Sequence, residues 1–567
     1  MGSLPSLKGL MLLVVMAASG CVHHTRAHGG GDLPAVMVET ILDQSALQDR
    51  LARFAPVVLS FDIDALDARE KAALPHLLRA ADVMDELFWE QSSVSGLALR
   101  DQLEQRAQSA FGKMVLHYLM INYGPLDRRH GFEPFLRVPE KLRSAGFYPE
   151  NMSREELLSW IQAHPADEAR FRNPFSVIRR KGGGLVSVPY HQAYRSWLQT
   201  AGAHLRKAAG SWSHGGLKKV LIAQEGALLS DRYAEGEEEE IGSSGSLLEV
   251  LIGPRDRGED RLLHTKAAFE SRIFARDEQE MERLSQLEPL IGEMMADLPL
   301  SDPDRIAQQS QSVPIVVADL LYASGAARAK AEPPAFDLQD AALQSARTKG
   351  RVVLKNLSQA VFDEILIPIS RKVVIRDQAG VLSFSATFLQ SLMHEVAHGI
   401  GPRGSFSGDE ELWATIEEAK AEVLGAYALL FLGERQVVPE KSFGQALTGF
   451  LPRVFQAVRA SAQSVEAGAV RLVFNCLKER GVYRYDEEQR AYALDVERAR
   501  REVRALLGEL MQILARGDLP GAGDLLDRRG ALDEQALSLL PGLREIPVEL
   551  EWVFSVRERI EREHAPG

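Results

Sequence analysis

The stretch FSATFLQSLMHEVAHGIGPRG, residues 384–404, holds His394, Glu395 and His398 in the order H-E-x-x-H. Apolar residues recur at three and four spacing through Phe388, Leu389, Leu392, Met393 and Val396, and Gly399, Gly401 and Pro402 follow as stop signals. The pattern predicts a helix of about four turns ending just after the motif. On such a helix His394 and His398 are one turn apart on one face, so both imidazoles can grip a single ion. Glu395 sits beside that face, where its carboxylate can take a proton from a water acidified by zinc.

A third ligand has to come from a neighbouring element. Residues 411–433, ELWATIEEAKAEVLGAYALLFLG, read as a second long helix with Glu417, Glu418 and Glu422 near its start. Glu418 and Glu422 are spaced i, i+4 and share a face, which assigns one as zinc ligand and the other as acceptor for a ligand imidazole. Glu417 is expected to point elsewhere. Two histidines and a carboxylate leave the fourth tetrahedral position open, the catalytic arrangement rather than the structural one. An oxyanion donor is also needed. No histidine lies between His398 and His564, which is three residues from the end, so the C-terminal region offers Tyr427, Tyr483, Tyr485 or Arg471.

The 567 residues exceed one ordinary core and predict two or three packed units. Hydrophobic residues at 45% and charged residues at 26% give the balance of a folded, water-soluble body. A net charge of -13 argues against general affinity for phosphate backbones or anionic lipid, so nucleic acid is not an expected partner. The chain is expected to be a monomer.

The N-terminus differs from the rest. MGSLPSLKGLMLLVVMAASGC carries one lysine and an apolar run from Leu10 to Ala18, too short to span a bilayer and therefore read as an export signal over residues 1–20. Ala18-Ser19-Gly20-Cys21 resembles a bacterial lipoprotein cleavage site, which would make Cys21 the lipidated first residue; an ordinary cleaved signal is the alternative. Val22 follows in place of Asp, which points to the periplasmic side of the outer membrane. The membrane is thus an expected partner only through a lipid anchor at Cys21. Cys476 is the other cysteine, so no structural disulfide is expected, and its helical context reads as a buried inert thiol.

Residues 21–34 are a Gly-rich polar tether. From Asp43 to about Gly210 the pattern is mostly helical, with a Ser153/Glu156 capping box opening one helix. The acidic run at 235–246 reads as an exposed loop. SLLEVLIGPRD, ended as a strand by its Gly-Pro, is followed by strand candidates VPIVVADLLYA, GRVVLKN and RKVVIRD. From Phe384 onward the pattern is almost wholly helical. The expected division is a mixed α/β lobe over 35–285, segments crossing between lobes over 286–380, and a helical zinc-binding catalytic lobe over 381–567.

With these residues in view, the chain resembles the dipeptidyl-peptidase III family, in particular its bacterial and plant branch with a five-residue zinc motif. The resemblance runs in order through NYGPLDRRHGFEPF, GFYPENMSREEL, VIRRKGGGLVSVPYHQAYR, EVLIGPRD with KAAFESRIFARD, VVADLLYASGAARA, VVLKNLSQAVFDEILIPIS, LMHEVAHGIGP and EEAKAEVLGAY. It implies a mainly α fold with a mixed α/β part: a two-lobed, zincin-like metallopeptidase with a helical zinc lobe, a lobe containing a small β-barrel, and a cleft between. It implies one zinc ion per chain on His394, His398 and Glu418, Glu395 as catalytic base, and Glu422 supporting a ligand imidazole. Asp337 and Asp340 in AFDLQDAA stand where relatives carry asparagines that hold a substrate N-terminus, and Ala467 stands where relatives place a histidine that serves the oxyanion.

The expected function is a zinc-dependent peptidase of the cell envelope acting on short peptides. The departures at Ala467, Asp337 and Asp340 leave open a zinc-containing peptide-binding lipoprotein with little turnover.

Overall fold

The computed structural model describes residues 39–138, 145–233, 245–300, 309–310, 314–330, 335–337, 350–401 and 408–563. The expected signal and tether, Cys21, Asp340, His564 and nearly all of the acidic run lie outside the described residues.

The first lobe mixes helices with a sheet. Strand β1 (Phe54–Leu59) leads to helix α1 (Ala68–Ser92). Asp67 caps α1 by accepting from the Arg69 and Glu70 amides, while Glu70 accepts back from the Asp67 amide, so donors otherwise orphaned at the helix start are satisfied reciprocally. Its apolar stripe, including Leu74, Leu77, Met84 and Phe88, is buried. It packs against helix α2 (Arg195–Ala209), which in turn carries helix α3 (Gly216–Ser230).

The sheet has five strands: β2 (Leu248–Asp256), β3 (Ala268–Arg276), β4 (Ile315–Gly325), β5 (Ala335–Asp337) and β6 (Arg351–Leu354). Their order is β5-β6-β4-β3-β2, antiparallel except for the parallel β6/β4 pair. Almost every residue of β3 and β4 is buried, as expected of central strands covered on both faces, and α1 packs on both. Among the described residues β5 and β2 do not pair with each other.

In the second lobe, helix α4 (Phe384–Ala397) carries H-E-x-x-H. It is followed by α5 (Glu410–Glu434), α6 (Lys441–Ser461), α7 (Val465–Glu479) and α8 (Val496–Arg516). Helix α5 is apolar nearly all round after its first turns, and α4, α6, α7 and α8 all pack on it. That is the pattern of a central helix with no solvent face. The two-lobed, mainly helical organisation is therefore as expected. Strand β7 (Glu549–Phe554) pairs in parallel with β1, returning the end of the chain to its beginning.

Several local expectations change. RKVVIRD is not a strand: a helix over Ile367–Val373 runs into it, with Ile369 and Val373 buried one turn apart, and Val374 makes one isolated bridge to Tyr492. Strand β2 does not stop at Gly253-Pro254 but continues to Asp256, because a register shift after Pro254 absorbs the missing N–H. The helical stretches are interrupted by hairpins at Ser176–Lys181 with Gly184–Pro189 and at Tyr483–Asp486 with Ala491–Leu494. Ser153 caps its helix as expected, but the Glu156 carboxylate takes Arg180 across to the hairpin instead of closing the capping box.

Candidate metal centre and active site

Helices α4 and α5 approach closely because a glycine allows it. A Cβ on Gly425 would stand 2.9 Å from the Gln390 carbonyl oxygen and 3.1 Å from the His394 nitrogen. Nearer the start of α4, a Cβ on Gly449 of α6 would stand 2.5 Å from Thr387 Oγ1. The backbone bearing His394 is thus set by contacts that leave no room for a side chain.

At the crossing, Nε2 of His394 and Nε2 of His398 are 3.1 Å apart, with the rings nearly perpendicular at 83°. Glu418 joins them with both its oxygens, Oε2 lying 3.4 Å from His394 Nε2 and Oε1 3.7 Å from His398 Nε2. Metal–ligand bonds of about 2.0–2.1 Å in tetrahedral geometry place donor atoms about 3.3 Å from one another. With one donor atom from each residue, all three lie within 4.8 Å of one another, a group able to hold a metal ion.

A carboxylate stands behind each imidazole. His398 donates from Nδ1 to Glu417 Oε2 at 2.8 Å, which leaves the Nε2 lone pair facing the centre. Nδ1 of His394 lies 3.4 Å from Glu422 Oε1. Glu422 is held in turn by both terminal nitrogens of Arg453 on α6, at 2.6 and 3.2 Å. Glu422, expected to support a ligand imidazole, is thus beside His394 Nδ1 without a hydrogen bond between them. Glu417 does not point elsewhere: His398, at the very end of α4, lies beyond His394 along the crossing and meets the preceding residue of α5. Lys420, buried, bonds the Ala397 and Ile400 carbonyls at 2.7 and 3.0 Å and pairs with Glu417 at 2.7 Å, so one cation caps α4 and anchors the carboxylate behind His398.

The charges are strongly coupled. Burial opposes protonation of His394, but Glu422, Glu418 and Glu395 outweigh it and push the imidazole up to about 9. Burial works to raise Glu417, yet His398 and Lys420 hold its carboxyl at about 2. Glu418 is lowered despite its burial, chiefly by His394. A site so rich in carboxylates favours a cation.

Glu395 is largely buried, and Arg351, the first residue of β6, donates to its Oε2 from Nη1. This contact joins the sheet-containing lobe to the zinc-motif helix. Nothing local in the sequence signals it, since 44 residues separate the partners. Asp337 is the backbone partner of Arg351 in the β5/β6 ladder, which places that strand end beside the centre.

Of the four donors expected for the oxyanion, Tyr427, Tyr483 and Arg471 make hydrogen bonds elsewhere. The Tyr427 hydroxyl donates to Asp297, Tyr483 to the Leu447 carbonyl, and Arg471 to the Gly530 and Ala462 carbonyls, while Tyr485 stacks edge-on against Tyr492. Ala467 is fully buried in the first turn of α7. The preceding Glu466 is raised by its burial, with Arg453 acting in the opposite direction. Cys476 is buried and its thiol is pushed up to about 12 by desolvation, as an inert cysteine should be.

No family model matches the chain. Among curated proteins it is 27% identical over 587 residues to Nudix hydrolase 3 of Arabidopsis thaliana, a match covering 92% of this chain and 76% of that protein. Among solved structures it is 28% identical to dipeptidyl-peptidase III from Corallococcus sp. strain EGB, covering 92% of this chain and 99% of that one, with a TM-score of 0.72. Its likeness to DPP III from Caldithrix abyssi is stronger, at 33% identity over 90% of this chain and 100% of that one, with a TM-score of 0.83. With the two-lobed fold and the paired helices already described, this chain belongs to the dipeptidyl-peptidase III family of peptidases.

Proposed function

We propose that the protein is a zinc-dependent peptidase of the cell envelope that hydrolyses short peptides. The observation that carries this reading is the convergence of His394, His398 and Glu418, one donor atom from each lying within 4.8 Å of the others, with a carboxylate behind each imidazole. His394, His398 and Glu418 would hold the ion, and Glu417 and Glu422 would fix the imidazoles. A bound zinc would supply Lewis-acid polarisation of the scissile carbonyl and acidify a water molecule. Glu395, adjacent to the donors, takes the proton of the attacking water and delivers it to the leaving amine.

The peptide would run beside β5, the edge of the sheet among the described residues, whose Asp337 is in register with Arg351. Asp337 and Asp340 are the proposed partners of the peptide ammonium group. Turnover, rather than binding alone, is favoured because the carboxylate base is present and held at the centre. The protein would act as a monomer anchored through lipidated Cys21 on the periplasmic side of the outer membrane. Among the described residues no helix is long and apolar enough to cross a membrane.

The test is zinc content and peptide-library turnover on one preparation. One zinc per chain with cleavage abolished by chelator supports the reading; a zinc-loaded protein that binds peptides and cleaves none replaces it with the peptide-binding lipoprotein.

A further inference from the structure

Helices α1 and α2 meet with a histidine from each at the contact: the rings of His76 and His204 lie 5.7 Å apart, inclined at 38°. Each is followed three residues later by a fixed cation, Arg79 on α1 and Lys207 on α2, which shares a helix face with its histidine. Both imidazoles are half-buried and both cations are exposed. Burial lowers the proton affinity of both rings. Lys207 lowers His76 further, and His76, Lys207 and Arg79 do the same to His204. Each helix's cation therefore stands within electrostatic reach of the other helix's histidine, and the four bases form one cluster.

No counter-charge answers them. None of the four side chains makes an ion pair or a hydrogen bond among the described residues, and the charges acting on the two rings are all positive. Asp82, three residues beyond Arg79 on α1, takes Arg557 and the Tyr322 hydroxyl instead. Glu225 of α3, which packs on α2, takes Arg206. Nδ1 of His204 is buried without a hydrogen-bond partner, so no contact with the protein fixes that ring. In a chain of net charge -13, such a cluster does not arise from general basicity.

Four like charges held together repel one another, and an anion among them relieves the repulsion. A metal ion would not, because Arg79 and Lys207 oppose any cation beside the two imidazoles. The donors differ in kind: a planar guanidinium fork, a compact ammonium, and one imidazole N–H from each helix. A carboxylate offers them two oxygens in one plane, whereas a phosphate group offers several oxygens in tetrahedral array and up to two charges to match the two fixed cations. We propose that His76, Arg79, His204 and Lys207 form a binding site for a phosphate-type oxyanion, carried by a small soluble phosphate or by a phospholipid headgroup. Neither helix contributes a residue to the metal centre, so the site stands independently of the peptidase reading.

The experiment uses the whole zinc-loaded protein and its Arg79→Gln/Lys207→Gln double variant. Inorganic phosphate is titrated calorimetrically at low ionic strength, and its protection of His76 and His204 from diethyl pyrocarbonate is located by mass spectrometry, with chloride as control. The site predicts saturable binding, protection of both histidines, and a loss of about tenfold or more in phosphate affinity in the variant, the worth of a hydrogen bond to a charged group. Protection of neither histidine, equal protection by chloride at the same ionic strength, or unchanged affinity in the variant overturns it. If the double variant does not fold, Arg79→Gln and Lys207→Gln are compared singly, and full affinity in both overturns it equally. Vesicles of phosphatidylcholine with and without phosphatidylglycerol separate the two sources, using protein made with Cys21→Ser so that no lipid anchor contributes. Binding that requires phosphatidylglycerol and is lost on replacing Arg79 and Lys207 assigns the headgroup. Phosphate protection without such binding assigns a soluble phosphate.

Discussion

Glu417 Oε2 lies 2.8 Å from His398 Nδ1, and Lys420 holds the same carboxylate at 2.7 Å. This three-membered link ties His398, at the end of α4, to the neighbouring helix α5. Replacing Glu417 with Ala removes the acceptor that fixes the imidazole tautomer, and such losses typically cost about 10–100-fold in metal affinity. Competition with a chromophoric chelator should show this fall in Glu417→Ala, with a smaller one in Glu417→Gln. Affinity equal to wild type in both would mean that the link is not part of the metal site.

Gly425 tests the packing behind the same site. Because a Cβ there would press on the Gln390 carbonyl and the His394 amide, Gly425→Ala should destabilise the fold by roughly 1–3 kcal/mol, the usual cost of overpacking. Thermal melts of the metal-free protein measure the first effect. Zinc titration should show weaker binding as well, since His394 moves with its backbone. Unchanged melting and unchanged affinity would contradict the close helix approach.

The pH behaviour of the metal-free protein follows from two groups of opposite sign. His394 is raised from 6.5 to about 9, so its contribution to stability is complete below about pH 6.5 and is lost as pH rises through about 9. Glu417 is depressed from 4.5 to about 2, so its contribution is present above pH 4.5 and is lost as pH falls towards 2. Zinc entry must also remove the His394 proton, so zinc affinity should climb between pH 6.5 and 9, by at most about tenfold per unit from this group. Chelator competition at several pH values checks this, and a flat profile over that window would rule it out.

Envelope anchoring can be scored independently of catalysis. Cys21→Ser should abolish incorporation of labelled fatty acid and move the protein from the membrane fraction to the soluble fraction. Fractionation with both forms measures it, and identical distribution with no label in the wild type would remove the lipid anchor from the account.

The parts of the site that sequence reveals are those confined to one helix. His394, Glu395 and His398 share the period of a single element, and Glu418 with Glu422 share that of the next. Glu417 escapes because a helical wheel describes one helix in isolation, whereas its partner His398 is fixed by where α4 ends against α5. Arg453 and Arg351 escape for a stronger reason: each reaches the site from another element, 31 and 44 residues from its partner, and no local spacing encodes that meeting. The same limit governs the fold. The central strands of the sheet and the long helices carry their own patterns, but RKVVIRD has the composition of a strand and is drawn into a helix by the burial of Ile369 and Val373. The pairing of β1 with β7 joins segments almost the whole chain apart.

The most direct measurement is zinc stoichiometry together with peptide-library turnover, made on one preparation each of wild type and Glu395→Gln. The account predicts one zinc per chain in both, cleavage by the wild type, and a loss of about 10²–10⁴-fold or more in the variant, the range expected for a positioned proton-transfer group. A zinc-loaded wild type that cleaves nothing, or a Glu395→Gln protein that turns over as fast as the wild type, would contradict it.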